Sequence, residues 1–328
     1  MTVAESRLTE RIDDDRAWPA GPPDRGEAWR QMIPQVCWDI AEPVLDAWRA
    51  DKGAITTVIL TAEQRRAGRE ALAPIRRELE QGFGFVVLDR IPVDRYTSEE
   101  ATLLYWLIGQ CLGQPMVQNI KGTLLYDVVD TGADYTQGAR FSITNADSSF
   151  HTDGAYFSVL ADYVALLCLR PAKSGGLNQM LSAYIIHNLL IDNEPDLLAT
   201  LYEAFHFDLR GEHGPGEPAT TQHPVFHWDG RELTMRYLHY YIEEGHKLAD
   251  KPLSGGQKRA LAAVERVASR PDLHVEFALK PGQMLFSNNH TTLHNRTGFE
   301  DHVDPAQRRH LVRLWLSRSA VNARPESD

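Results

Sequence analysis

The chain has 328 residues, 43% of them apolar and 24% charged, with a formal net charge of −11. That acidity excludes nonspecific nucleic-acid binding, which needs a basic surface, and no run of about 18 or more apolar residues offers a membrane-spanning helix. Three cysteines, Cys37, Cys111 and Cys168, form no C-x-x-C pair and sit among apolar neighbours, so buried thiols in a reducing, cytoplasmic setting are expected.

Residues 1–26 are polar, carry no apolar secretory stretch and end in A-W-P-A-G-P-P-D-R-G. They predict a loose N-terminal arm ahead of one domain over 27–328. Thr61 to Gln81 reads as a helix: Thr61 is a good N-cap, and Leu72, Ile75 and Leu79 recur at helical spacing. Gly82 ends it, and F-G-F-V-V-L (Phe83–Leu88) is a buried strand by its β-branched and aromatic content. Ser98 to Leu112 forms the next helix. From Leu124 the chain turns strand-rich, through L-L-Y-D-V-V, Y-V-A-L-L-C-L, H-V-E-F-A-L, Q-M-L-F-S-N and H-L-V-R-L-W-L, each bounded by Gly, Pro or Asp. Helical stretches interrupt these strands around Ala183–Ile191 and Gln257–Ser269. Without regular β-α-β alternation, the pattern predicts a mainly β fold with flanking helices, and a jelly roll is its natural form.

One motif misleads. L-S-G-G-Q-K-R-A-L-A (Leu253–Ala262) opens like the signature of ABC-type ATPases, but that signature works opposite a loop ending in Gly-Lys, and the chain has no Gly-Lys dipeptide. Ser254 as the cap of a helix with a Leu261, Val264 and Val267 stripe accounts for the segment.

The chemistry gathers elsewhere. In S-S-F-H-T-D-G-A-Y-F (Ser148–Phe157), His151 and Asp153 stand two residues apart, and on a strand both side chains reach one face. A histidine and a carboxylate with one further histidine make the facial triad of non-haem Fe(II) oxygenases. Taken alone, H-x-D is equally a core histidine beside a turn aspartate. The segment N-N-H-T-T-L-H-N-R-T-G-F-E-D supplies two competing distal histidines, His290 and His294. Downstream, Q-R-R-H-L-V-R-L-W-L places Arg309, Leu311 and Arg313 on one strand face. Inward arginines are costly unless they meet an anion, and a guanidinium binds carboxylates in a bidentate way, which suits a dicarboxylic co-substrate.

In this order, G-F-V-V-L, F-H-T-D-G-A-Y, P-A-K-S-G-G, L-K-P-G-Q-M-L-F-S-N-N-H, L-H-N-R-T-G-F-E-D and R-R-H-L-V-R-L-W-L cover about Gly82 to Leu316. Together they resemble the taurine dioxygenase and clavaminate synthase-like superfamily of Fe(II)/2-oxoglutarate-dependent oxygenases. The resemblance implies a double-stranded β-helix, the jelly-roll variant of that superfamily. It implies His151, Asp153 and His294 as Fe(II) ligands, since the distal histidine precedes x-R-T, and leaves His290 a structural or outer role. It implies Arg309 on the distal carboxylate of 2-oxoglutarate, with Arg313 on that co-substrate or on an anionic group of the substrate. Asn178 stands where the family usually has Ser or Thr; its amide still donates to a carboxylate. With O₂ as the second co-substrate, succinate and CO₂ are released and the substrate is oxidised, by hydroxylation in the default case. Related halogenases replace the carboxylate ligand with a small residue, so Asp153 implies oxygenation.

Substrate contacts are sought just before the first ligand, in V-Q-N-I-K-G-T with Gln118 and in A-R-F-S-I-T-N, where Arg140, Ser142 and Thr144 would share a strand face. R-Y-L-H-Y-Y (Arg236–Tyr241) is a third candidate lining. Arg140 or Arg313 in the pocket favours a small anionic or zwitterionic molecule, such as an amino acid derivative. Two other classes compete: a non-catalytic jelly-roll metal-binding sensor, and a cupin-type metal enzyme that does not use 2-oxoglutarate. An inward Arg309 speaks against the second, and an open triad beside a dicarboxylate anchor against the first. Homo-oligomer formation is left open.

Overall fold

Helix caps set the boundaries of the first third of the chain. In the computed structural model, which describes residues 7–19, 28–133 and 141–318, strand β1 (Arg30–Met32) is followed by helices α1 (Gln35–Ala50), α2 (Ala62–Ala71) and α3 (Ala73–Gln81). The side chain of Thr61 accepts from Gln64 N, and Gln64 reaches back to Thr61 N, a capping box that starts α2. The single helix predicted over Thr61–Gln81 is in fact two, parted at Leu72, because Pro74 cannot continue the hydrogen-bond ladder and restarts it in the first turn of α3. After β2 (Phe85–Asp89), Thr97 and Glu100 form a second capping box that opens α4 (Ser98–Leu112).

Strands then dominate. β3 (Gln114–Met116), β4 (Leu125–Val128), β5 (Tyr163–Arg170), β6 (Ser174–Gly175) and β7 (Asn178–Ser182) lead into α5 (Ala183–Asn193) and α6 (Pro195–Leu201). The pairs β8 (Ala204–Asp208) with β9 (Thr220–Pro224) and β10 (Phe226–Trp228) with β11 (Leu233–Met235) precede α7 (His239–Leu248) and α8 (Gly255–Ala268). The chain ends its fold in β12 (Val275–Phe277), β13 (Met284–Asn288), β14 (Thr292–Arg296), β15 (Phe299–Glu300) and β16 (His310–Ser317).

The larger sheet runs β1-β2-β13-β5-β16-β3, with β4 also on β16, and is antiparallel except for β1 against β2. A smaller antiparallel sheet runs β12-β7-β14. Alternation along β2 explains the layering: Val86 and Leu88 join α1–α4 in one core, while Phe85 and Val87 join Met180, Val275 and Phe277 of the smaller sheet in another. A further core joins α5, α6 and α8 to β10 and β11. The architecture is therefore a sheet-rich fold with eight helices among the described residues.

Two expectations change. Residues 7–19 do not form a loose arm: Trp18 is buried and its Nε1 donates to Phe83 O at 2.9 Å, and Ile12 exchanges backbone hydrogen bonds with the Asn188 amide. The polar composition of that segment hides two apolar anchors. Residues Phe141–Ile143 form a 3₁₀ turn, so Ser142 and Thr144 do not share a strand face; Arg140 lies outside the described residues.

Candidate metal centre

Two strand segments bring the ligands together. His151 N donates to His294 O at 3.0 Å and His294 N to His151 O at 2.9 Å, a two-residue antiparallel bridge that faces the rings 4.3 Å apart. Asp153 follows at i+2, with Oδ1 3.5 Å from His151 Nε2 and 3.6 Å from His294 Nε2. One ligand atom from each residue lies within 4.8 Å of the other two. The alternative histidine is excluded by geometry: His290 Nε2 pairs with Asp162 Oδ1 at 3.0 Å.

The donor set fits a divalent metal of the facial-triad kind. His151 Nδ1 lies 2.7 Å from the Ser149 carbonyl, an acceptor, so Nδ1 carries the proton and the Nε2 lone pair is free for an ion. Burial and the neighbouring His151 hold His294 below its ordinary pKa, in the neutral form a metal requires. Burial pushes the Asp153 carboxyl up, but the Arg313 guanidinium and the two imidazoles outweigh it and hold the group well below the usual range. Its Oδ2 accepts from Trp315 Nε1 at 2.9 Å and pairs with Arg313 Nη1 at 3.1 Å, which leaves Oδ1 toward the histidines. The Asn289 amide grips the Asp153 backbone at both ends, accepting from N at 2.8 Å and donating to O at 2.9 Å. Gly154 has φ +62°, and a Cβ there would stand 2.9 Å from the Trp315 ring, so glycine lets the indole approach.

Arg309 sits just ahead of β16, beyond a bulge between His310 and Leu311, and is 5% exposed. Its guanidinium makes no side-chain hydrogen bond or ion pair among the described residues; it lies over the Phe299 ring at 5.1 Å, and Arg296 lies over the same ring at 4.8 Å. Burial and the neighbouring Arg296 lower Arg309 to about 10. Gly176 (φ +65°) leaves room beside it, since a Cβ would come 3.5 Å from Arg309 Nε. Asn178 is buried and pairs in register with Arg296. Arg296 in turn is two residues from His294, about 7 Å along a strand.

Arg313 is committed to Asp153 and, through Nε at 2.7 Å, to Gln118 Oε1. Gln118, Ser142, Tyr156, Leu238, Tyr241 and Trp315 line a narrow cleft of ≈ 70 Å³ that also contains His151, Asp153 and Arg313. From R-Y-L-H-Y-Y, Leu238 and Tyr241 line the cleft, whereas Tyr237 is in the core. A larger surface cleft of ≈ 710 Å³, between α2 and the end of β16, holds none of the triad. Trp315, Asn289 and Arg296 escaped sequence reasoning. Two of them had a usable signal, since Trp315 is i+2 from Arg313 and Arg296 is i+2 from His294 on strands.

Residues 53–315 match the family described as taurine catabolism dioxygenase TauD, TfdA family. The chain belongs to that family. As a TauD, TfdA-family protein it is a dioxygenase of the iron and 2-oxoglutarate type. FR-33289 synthase of Streptomyces rubellomurinus is 32% identical over 296 residues, covering 89% of this chain and 83% of that protein. L-asparagine oxygenase of Streptomyces coelicolor is 26% identical over 336 residues, covering 92% and 91%. The fold matches a structure of asparagine oxygenase in complex with Fe(II), 3-hydroxyasparagine and succinate, with TM-score 0.66 at 21% identity over 88% of this chain and 94% of that one. It matches the non-haem iron oxygenase OrfP in complex with Fe and α-ketoglutaric acid with TM-score 0.61 at 18% identity over the same shares.

Proposed function

We propose that His151, Asp153 and His294 hold Fe(II), that Arg309 receives the distal carboxylate of 2-oxoglutarate with Asn178 beside it, and that the enzyme hydroxylates a small carboxylate-bearing or amino-acid-derived molecule. One observation carries the reading: the guanidinium of Arg309, 5% exposed, has no carboxylate on it among the described residues and shares the Phe299 ring with Arg296, two residues from His294 on β14. A guanidinium so desolvated is costly unless an anion arrives to pair with it. When bound, iron and 2-oxoglutarate supply an oxidant made from O₂, with succinate and CO₂ as by-products.

The chain's own residues do the rest. Phe299 stacks against the Arg309 guanidinium and fixes its plane, so the incoming carboxylate meets a preset fork. Trp315, Tyr156 and Leu238 wall the cleft with apolar surface that excludes water from the reacting carbon. A cleft this narrow suits a small molecule. Asparagine oxygenase and OrfP, whose complexes hold hydroxylated amino acids, support an amino acid derivative as the substrate class. We read the two facing sheets as the double-stranded β-helix, and residues 27–328 as its single domain.

The test is an anaerobic titration of Fe(II) and 2-oxoglutarate, followed through the weak visible charge-transfer band of the chelated co-substrate. Wild type should show the band, His294→Ala should lose it, and Arg309→Ala should need at least tenfold more 2-oxoglutarate to reach it, the cost of an unpaired charge. No band in well-reduced wild type would sink the reading.

A further inference from the structure

The carboxylate of Asp153 is held by more than its two histidine neighbours. Its Oδ2 takes one hydrogen bond from Trp315 Nε1 at 2.9 Å and an ion pair from Arg313 Nη1 at 3.1 Å. Arg313 is itself fixed from behind. Gln118 Oε1 accepts from Arg313 Nε at 2.7 Å, while Gln118 Nε2 donates to Arg313 O at 3.0 Å and to Leu124 O at 2.9 Å. Both amide hydrogens and the amide oxygen of a residue only 2% exposed are therefore spent inside the protein. Although Gln118 borders the cleft, it has no hydrogen left to offer a substrate.

We propose that Gln118, Arg313 and Trp315 are positioning residues that keep Asp153 a one-oxygen ligand. The inference rests on the metal reading above. Gln118 clamps the side chain and backbone of Arg313 with one amide, which removes the rotamer freedom a long arginine stem otherwise keeps. The fixed guanidinium and the indole then occupy Oδ2 from two directions. Gly154 is part of the device, because any Cβ there would push the indole away. Held this way, the carboxylate presents Oδ1 alone. A freely turning carboxylate would have to be fixed when the ion arrives, and that ordering cost would weaken metal binding.

The assignment corrects the idea that Gln118 touches substrate, and it makes a distinct prediction: Gln118 acts on the metal without touching it. The experiment measures Co(II) affinity of metal-stripped full-length protein by calorimetry, with the urea midpoint of each stripped protein alongside. Gln118→Met and the ring-conserving Trp315→Phe should weaken Co(II) binding roughly tenfold or more, the usual cost of losing a partner behind a metal ligand. Gln118→Met combined with Arg313→Met should bind no worse than Arg313→Met alone, because one acts through the other. Unchanged Co(II) affinity in both single variants, or losses that simply add in the double variant, overturns the proposal while leaving the metal site intact. Wild type that fails to bind Co(II) takes down the metal reading and this inference together.

Discussion

Asp153 is a buried carboxylate that stays charged because four groups, Arg313, Trp315 and the two imidazoles, converge on it, and its neighbour Gly154 decides whether the indole can. The left-handed backbone there, φ +62°, already disfavours a side chain. A methyl at that position would also stand 2.9 Å from the rings of both Trp315 and Phe157. Gly154→Ala should therefore destabilise the metal-free protein by about 1–3 kcal/mol, the range for forced overpacking, as read from urea unfolding. Equal stability would mean that the indole can move without cost, and the close-approach argument would fail. The triad residues were legible in the sequence: strand alternation pairs His151 with Asp153, and although spacing alone left His290 and His294 open, the resemblance chose His294 by the x-R-T that follows it. The fold adds the reason, since His290 spends its Nε2 on Asp162. Trp315 was hidden by its type, since an aromatic on a buried strand reads as core.

The elements that carried strong local signals are the ones foreseen. Capping boxes and helical stripes mark α2 and α8, and the β-branched runs mark β2, β5 and β16. Helix α1 was not read, although Cys37, Ala41, Leu45 and Trp48 make a regular buried stripe, because Pro43 inside it looks like a breaker. Strands β7 and β14 are five residues each and mix buried apolar side chains (Met180, Leu181, Leu293) with polar ones, so no β-branched run announced them. Docking of residues 7–19 depends on contacts with Phe83 and Asn188, far away in sequence, and local patterns carry no information about it. The misleading Leu253–Ala262 stretch resolves at this scale. Ser254 Oγ accepts from Gln257 N at 3.1 Å and Gln257 Oε1 from Ser254 N at 3.0 Å, while Leu261 and Val264 are buried. Ser254→Ala should cost about 1 kcal/mol of unfolding free energy, the ordinary worth of a cap, with metal affinity untouched. A loss of metal binding would assign the segment a role beyond starting a helix.

Across the whole molecule, the core built on α5, α6 and α8 adds an acid sensitivity of its own, away from the metal site. His187 on α5 is fully buried there, edge-on to Phe226 at 5.6 Å and with Nε2 3.1 Å from Tyr202 Oη. Burial lowers its pKa from 6.5 to about 4. The native protein then keeps this imidazole neutral while the unfolded chain protonates it near its ordinary value. Between those two pH values the unfolded state binds more protons, so the stability present above about 6.5 is lost as pH falls toward 4. For a shift of this size the loss is about 3 kcal/mol from this one residue. Half-buried His223, likewise lowered to about 4 by desolvation, works in the same direction. Urea unfolding of chelator-treated protein from pH 7 to pH 4 should show this decline. The His187→Leu variant starts from its own lower stability, since the Tyr202 hydroxyl loses a partner, but its slope across the window should be shallower than that of wild type. Identical slopes would show that His187 titrates in the folded protein as it does in the unfolded chain.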